Sequence, residues 1–182
     1  MLTNPVEGIR IPNGIIRRDR RLKEGEYELL LDAAEQCRNP YIWNCIDFAI
    51  ETGMRRSEIL SLIWVNVDLD TRIVVLPNTK NGSKREIPLT TKATQILHRL
   101  PRNEDRAFAT TDYTIRHGWD RLAKRAGIIG LRFHDLRHEA VSRFFEMGLS
   151  VPEVAAISGH KDYRMLASYT HVNVKSLAQK IN

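Results

Sequence analysis

The hydrophobic period of this chain changes once. Ile73-Val74-Val75-Leu76 is a β-branched run, and Asn78 to Ser83 is a polar turn with Asn81-Gly82 at its tip. Arg85-Glu86-Ile87-Pro88-Leu89 then alternates again. Asn-Gly accepts the left-handed dihedrals of a tight turn, so the three segments predict a β-hairpin. Pro88 has no amide proton to give to a ladder, which puts the second strand at an edge or at its own end.

On either side the apolar spacing is helical. Leu22, Tyr27, Leu30, Leu31 and Ala34 predict one helix, and Ile42, Cys45, Ile46, Phe48 and Ala49 a second that Gly53 ends. Further helices are predicted over 56–63, 92–100, 114–126, 134–147 and 172–181. Ser150-Val151-Pro152-Glu153 reads as a capping box with proline in the first turn, opening a short helix that Gly159 closes. One hairpin among many helices gives a mainly α fold with a small antiparallel β-sheet (α+β).

A chain of 182 residues fits one domain with a sizeable core. Residues 1–21 are punctuated by Asn4-Pro5 and Pro12-Asn13-Gly14 and carry Arg17, Arg18, Arg20 and Arg21, so they read as a linker or basic arm before a domain over 22–182. The polar start is not a signal peptide, and no apolar run is long enough to span a membrane. Cys37 and Cys45 therefore read as reduced core residues of a cytoplasmic protein. The net charge of +6 suits a polyanionic partner, of which nucleic acid is the commonest. Lys84 beside the hairpin, and Arg116 and Lys124 on one predicted helix, are the candidate DNA contacts outside any reactive centre.

The reactive side chains gather late in the chain, in His134-Asp135-Leu136-Arg137-His138, Gly159-His160 and Tyr169-Thr170-His171. His134 and Arg137 are three apart and share a helix face. His134 and His138 could pair on a metal, but no carboxylate or thiolate stands at the spacing that would complete a site, so neither metal nor cofactor is expected. Upstream, Gly53-Met54-Arg55-Arg56-Ser57-Glu58 sets an arginine after a glycine turn at a helix start, where amides and guanidinium converge on an anion. The same arginine could instead pair with Glu58 or Asp47.

With these strings in order, the chain resembles the tyrosine recombinases, the phage integrase family. Thr52 to Leu60 resembles the first arginine box, Thr79 to Leu89 the lysine-bearing hairpin, and His134 to His138 the second box. Ser158-Gly159-His160 and Ser168-Tyr169-Thr170-His171 resemble the third box and the nucleophile. The resemblance implies the integrase catalytic-domain fold, with Arg55, Lys80, His134, Arg137 and His160 around a scissile phosphate and Tyr169 attacking it. The Gly-x-Arg spacing favours Arg55 over Arg56. It implies a metal- and ATP-independent site-specific recombinase working through a 3′-phosphotyrosyl intermediate, with His134 taking the phenol's proton and Lys80 protonating the leaving 5′-oxygen. The implied partners are double-stranded DNA and other protomers in a tetrameric synapse, with residues after Tyr169 docking on a neighbour. The N-terminal core-binding domain usual in the family is expected to be absent from this chain. The competing readings are an inactive or truncated DNA-binding remnant of a prophage integrase, a type IB topoisomerase and a metal nuclease using Asp68 and Asp70.

Overall fold

A computed structural model describes residues 20–77 and 84–169. In chain order it contains α1 (Glu26–Glu35), α2 (Tyr41–Thr52), α3 (Arg56–Leu60), β1 (Val67–Asp68), β2 (Ile73–Leu76), β3 (Arg85–Pro88), α4 (Thr91–Arg99), α5 (Asp112–Arg125), α6 (Asp135–Glu146) and α7 (Val151–Ser158). A 3-10 turn covers Trp64–Asn66, and a longer 3-10 segment covers Tyr163–Tyr169. The mainly helical architecture with one small sheet is as expected. The hairpin tip with Lys80, Asn81 and Gly82, and the predicted helix over 172–181, lie outside the described residues.

The sheet is antiparallel in the order β1-β2-β3. Val74 pairs with Ile87 and Leu76 with Arg85, so Pro88 ends an edge strand. Strand β1 escaped the periodicity because two residues carry no period. Its turn is made by Asp68, whose Oδ1 accepts from the backbone N–H groups of Asp70 and Thr71 at 2.9 Å each. That carboxylate is a turn cap. Helix α3 is shorter than predicted, ending at Leu60 before the 3-10 turn.

The main core is built around the fully buried Phe48, Ile46, Ile59, Leu97, Phe108 and Leu122. Cys45 lies inside it and Cys37 only half-buried at its margin, and both are free thiols. Helix α5 turns Ile115, Trp119 and Leu122 inward and leaves Arg116, Arg121 and Lys124 exposed. A second cluster, Ala140, Val141, Phe144, Val154, Ala155 and Leu166, joins α6 to α7 and to the 3-10 segment carrying Tyr169.

Residues at the arm's end already belong to the folded body. Arg21 Nε donates to Glu139 of α6 at 3.1 Å and its Nη1 to Glu146 at 2.5 Å, while the Leu22 amide donates to Glu139 at 3.2 Å. The chain entering the domain is thus fastened to α6.

Helices α2 and α5 meet at Gly118, where an added Cβ would lie 2.4 Å from Ile42 Cδ1. Alanine in place of glycine within a helix ordinarily stabilises by about 0.5–1 kcal/mol. Here overpacking opposes that gain and costs roughly 1–3 kcal/mol. Gly118→Ala is expected to lower the unfolding free energy in urea titration, reversing the usual sign.

Candidate active site

Two helix ends and one strand converge on the carbonyl of Ser158. Arg137 on α6 is 4% exposed. Its Nη1 donates to the Gly53 carbonyl and its Nη2 to the Ser158 carbonyl, both at 2.6 Å. Arg85, from the inward face of β3, donates to the same Ser158 carbonyl at 3.0 Å and to Glu58 Oε2 at 2.8 Å. Glu58 also accepts from the Arg55 amide and from Arg55 Nη1, each at 2.8 Å. Arg55 is therefore both paired and pointed: Glu58 fixes it while it lines a cleft of about 270 Å³ with Arg56, Phe133, His134 and Arg137. Arg56 is engaged elsewhere, since its Nε and Nη2 hold Asp112 at 2.7 and 3.1 Å.

The fit around Arg85 depends on Gly159. At φ 74° Gly159 closes α7, and an added Cβ there would stand 1.8 Å from Arg85 Nη1. Any side chain would expel the guanidinium. Arg85 Nε is buried without a hydrogen-bond partner among the described residues.

His160 follows immediately. Its Nδ1 is 2.7 Å from Ser158 Oγ, and its Nε2 is 3.4 Å from Arg137 Nη2. Because the Ser158 hydroxyl donates to the Val154 carbonyl at 2.5 Å, its oxygen accepts from His160 Nδ1–H, leaving Nε2 as the acceptor facing Arg137. Burial first, then Arg137 and Arg55, push the His160 pKa down to about 4. The ring is neutral at neutral pH. Arg137 is pushed down to about 10 by burial and by Arg55, and stays a cation. Burial alone would raise the Glu58 pKa, but the Arg55 amide and the Arg85 and Arg55 guanidiniums outweigh it and hold it below the usual range.

His134 is exposed and lines the cleft, its pKa lowered by desolvation and then by His138 and Arg137. It meets His138 edge-on, with centroids 5.5 Å apart. Tyr169 is placed by Leu166, three residues earlier on the same 3-10 segment, where side chains at i and i+3 eclipse. Leu166 is fully buried, and its burial contributes about 2 kcal/mol toward holding the segment against α6 and α7. The phenol hydroxyl hydrogen-bonds to Nδ1 of His138. His134 was expected to be the phenol's partner; the ring bonded to it is that of His138.

The family model for the phage integrase family matches residues 20–176. The chain belongs to that family. It is 42% identical over 182 residues to the shufflon-specific DNA recombinase of Escherichia coli, covering 99% of this chain and 47% of that protein. It is 29% identical to the tyrosine recombinase XerA of Saccharolobus solfataricus, over 93% of this chain and 58% of the relative. The chain thus spans about half the length of the curated relatives it matches. The catalytic domain of bacteriophage HP1 integrase superposes with a TM-score of 0.72 at 25% identity, over 88% of this chain and 92% of that one.

Within this integrase domain, Arg55, His134, Arg137 and His160 are brought together, with Tyr169 in contact with His138. Lys80 lies outside the described residues. Lys84 is exposed at the hairpin and pairs with Glu86 at 2.9 Å. Arg85 and His138 were not singled out from the sequence as site residues. A signal existed for Arg85, which is in phase with the inward Ile87 and Leu89.

Glu58→Gln leaves Arg85 buried without its counter-charge and is expected to cost about 3 kcal/mol in denaturant unfolding. His160 gives a pH signature. Its folded pKa lies below the ordinary 6.5, so the unfolded chain binds more protons between about 6.5 and 4. Stability from this group is therefore full above that window and falls as pH drops through it. Comparing unfolding free energies of the wild type and His160→Gln across that range is expected to show the variant losing less on acidification.

Proposed function

We propose that this chain is the catalytic domain of a site-specific DNA recombinase that cuts and rejoins strands through a 3′-phosphotyrosyl bond. The observation that carries the reading is the hydroxyl of Tyr169 bonded to His138, the residue next to Arg137, while Arg137 lines a cleft with Arg55 and His134 and meets His160 at 3.4 Å. Attack on a phosphodiester gathers negative charge on the two non-bridging oxygens. Guanidiniums fixed in advance by Glu58, Gly53 and Ser158 meet that charge without reorganising. The bond between tyrosine and phosphate stores the energy of the broken phosphodiester, so a 5′-hydroxyl reverses the step with neither ATP nor a metal. Lys80 is the proposed acid for the leaving 5′-oxygen, and His134 a proton carrier at the phosphate.

The proposed partners are double-stranded DNA carrying a recombination site and further protomers in a tetrameric synapse, and the proposed location is the cytoplasm. Neighbours of the same fold support this. The Tn1549 transposon integrase, 18% identical with a TM-score of 0.72, was solved in complex with transposon right end DNA. Lys84, Arg116 and Lys124, all exposed, are proposed to meet flanking phosphates. The remnant reading is not favoured, because all six proposed catalytic residues are intact.

Incubation with a nicked suicide duplex carrying the recombination site tests the proposal. A covalent, EDTA-resistant adduct is expected with the wild type and none with Tyr169→Phe. Arg55→Ala and Arg137→Ala are expected to slow adduct formation by roughly 10²–10³-fold. An adduct that survives Tyr169→Phe sinks the reading.

A further inference from the structure

We infer that His138 is a catalytic residue that docks the Tyr169 phenol and takes its proton at Nδ1. The inference rests on the reading of Tyr169 as the nucleophile and adds the group that activates it. The tyrosine ring lies against one face of α6, between His138 and Phe145, which are seven residues and about two turns apart. Its centroid is 5.8 Å from that of His138, with 19° between the planes, and 6.4 Å from that of Phe145, with 16° between them. Phe145 thus fixes the height of the ring along the helix, and His138 meets its hydroxyl.

The histidine's own placement comes from Arg137 beside it. That guanidinium is locked to Gly53 and Ser158, so the register of α6 is set and the next side chain is delivered at one position. His138 is half-buried, as a proton acceptor for a phenol should be if it is to work without competition from bulk water. The charged and titratable groups around it are His134, Asp135, Arg137 and Glu139 on α6, Arg55 and Glu58 at α3, Arg85 on β3, His160 after α7 and Tyr169 itself.

The step balances. The phenol O–H bond breaks and its proton goes to Nδ1 as the tyrosyl oxygen bonds phosphorus. The 5′-oxygen leaves with the electron pair of its P–O bond and takes a proton from the separate acid assigned to Lys80. In rejoining, the imidazolium returns its proton to the departing phenolate.

Two measurements test this. Long-range proton–nitrogen correlation spectra of the 15N-labelled chain, assigned by loss of signal in His138→Asn, are expected to show an unprotonated Nδ1 at neutral pH that shifts in Tyr169→Phe. A proton fixed on Nδ1, or no shift, overturns the inference. On suicide duplexes, asparagine at 138 can still bond the phenol but cannot take its proton. His138→Asn is expected to slow adduct formation by about 100-fold at neutral pH, the range for a lost general base. The deficit should shrink as pH rises toward the phenol's own pKa of about 10. It should persist on a 5′-bridging phosphorothioate, whose sulfur leaves without a proton. A variant as fast as wild type overturns the inference, and so does rescue by the phosphorothioate, which would move His138 to the leaving-group side. If the wild type itself forms no adduct, the recombinase reading fails first and takes this inference with it.

Discussion

The carbonyl of Ser158 holds this site together. It accepts from Arg137 and from Arg85, and through them it ties α6, β3 and the end of α7 to one oxygen. Two cations on one neutral acceptor would be a poor arrangement without Glu58, which neutralises Arg85 and reaches back to position Arg55. Remove that oxygen from its place and three elements lose their common reference. The close approach is possible only because Gly159 follows with no side chain.

A similar economy governs Tyr169. Its segment is a 3-10 turn, a conformation with little intrinsic stability, held by Leu166 in the apolar seam between α6 and α7. The ring then rests on α6, so one helix carries both Arg137 and the support for Tyr169. Arg21, on the chain entering the domain, bonds Glu139 and Glu146 on that same helix. Helix α6 is therefore held by the entering chain, through Arg137 and along the face that carries Tyr169.

Most of the helices, and the hairpin apart from its tip, could be read from the sequence because each repeats its pattern over several residues. Ser150 and Glu153 cap α7 as their spacing promised, with the Glu153 carboxylate accepting from the Ser150 amide and hydroxyl. What escaped had no repeat to betray it. Strand β1 is two residues long, and the end of α3 is set by the turn that follows. Among the side chains, Arg85 was legible by phase, since it alternates with buried Ile87 and Leu89, but a charge at an inward position reads as an exception until its carboxylate is known. Spacing alone pairs His138 only with His134, four residues away on the same helix. Its contact with Tyr169 spans 31 residues and depends on how α7 folds back, which no local pattern encodes.

Charge balance at the site has a thermodynamic side. Arg55 and Arg85 share the Glu58 carboxylate, and Arg137 is held by two backbone carbonyls, so the positive charge exceeds the negative charge bonded to it. On the proposed reading, a DNA phosphate would balance that charge. Any such anion that binds only the native state adds to its stability in proportion to the logarithm of its concentration. The stability of this domain is thus a property of the protein together with the anions around it.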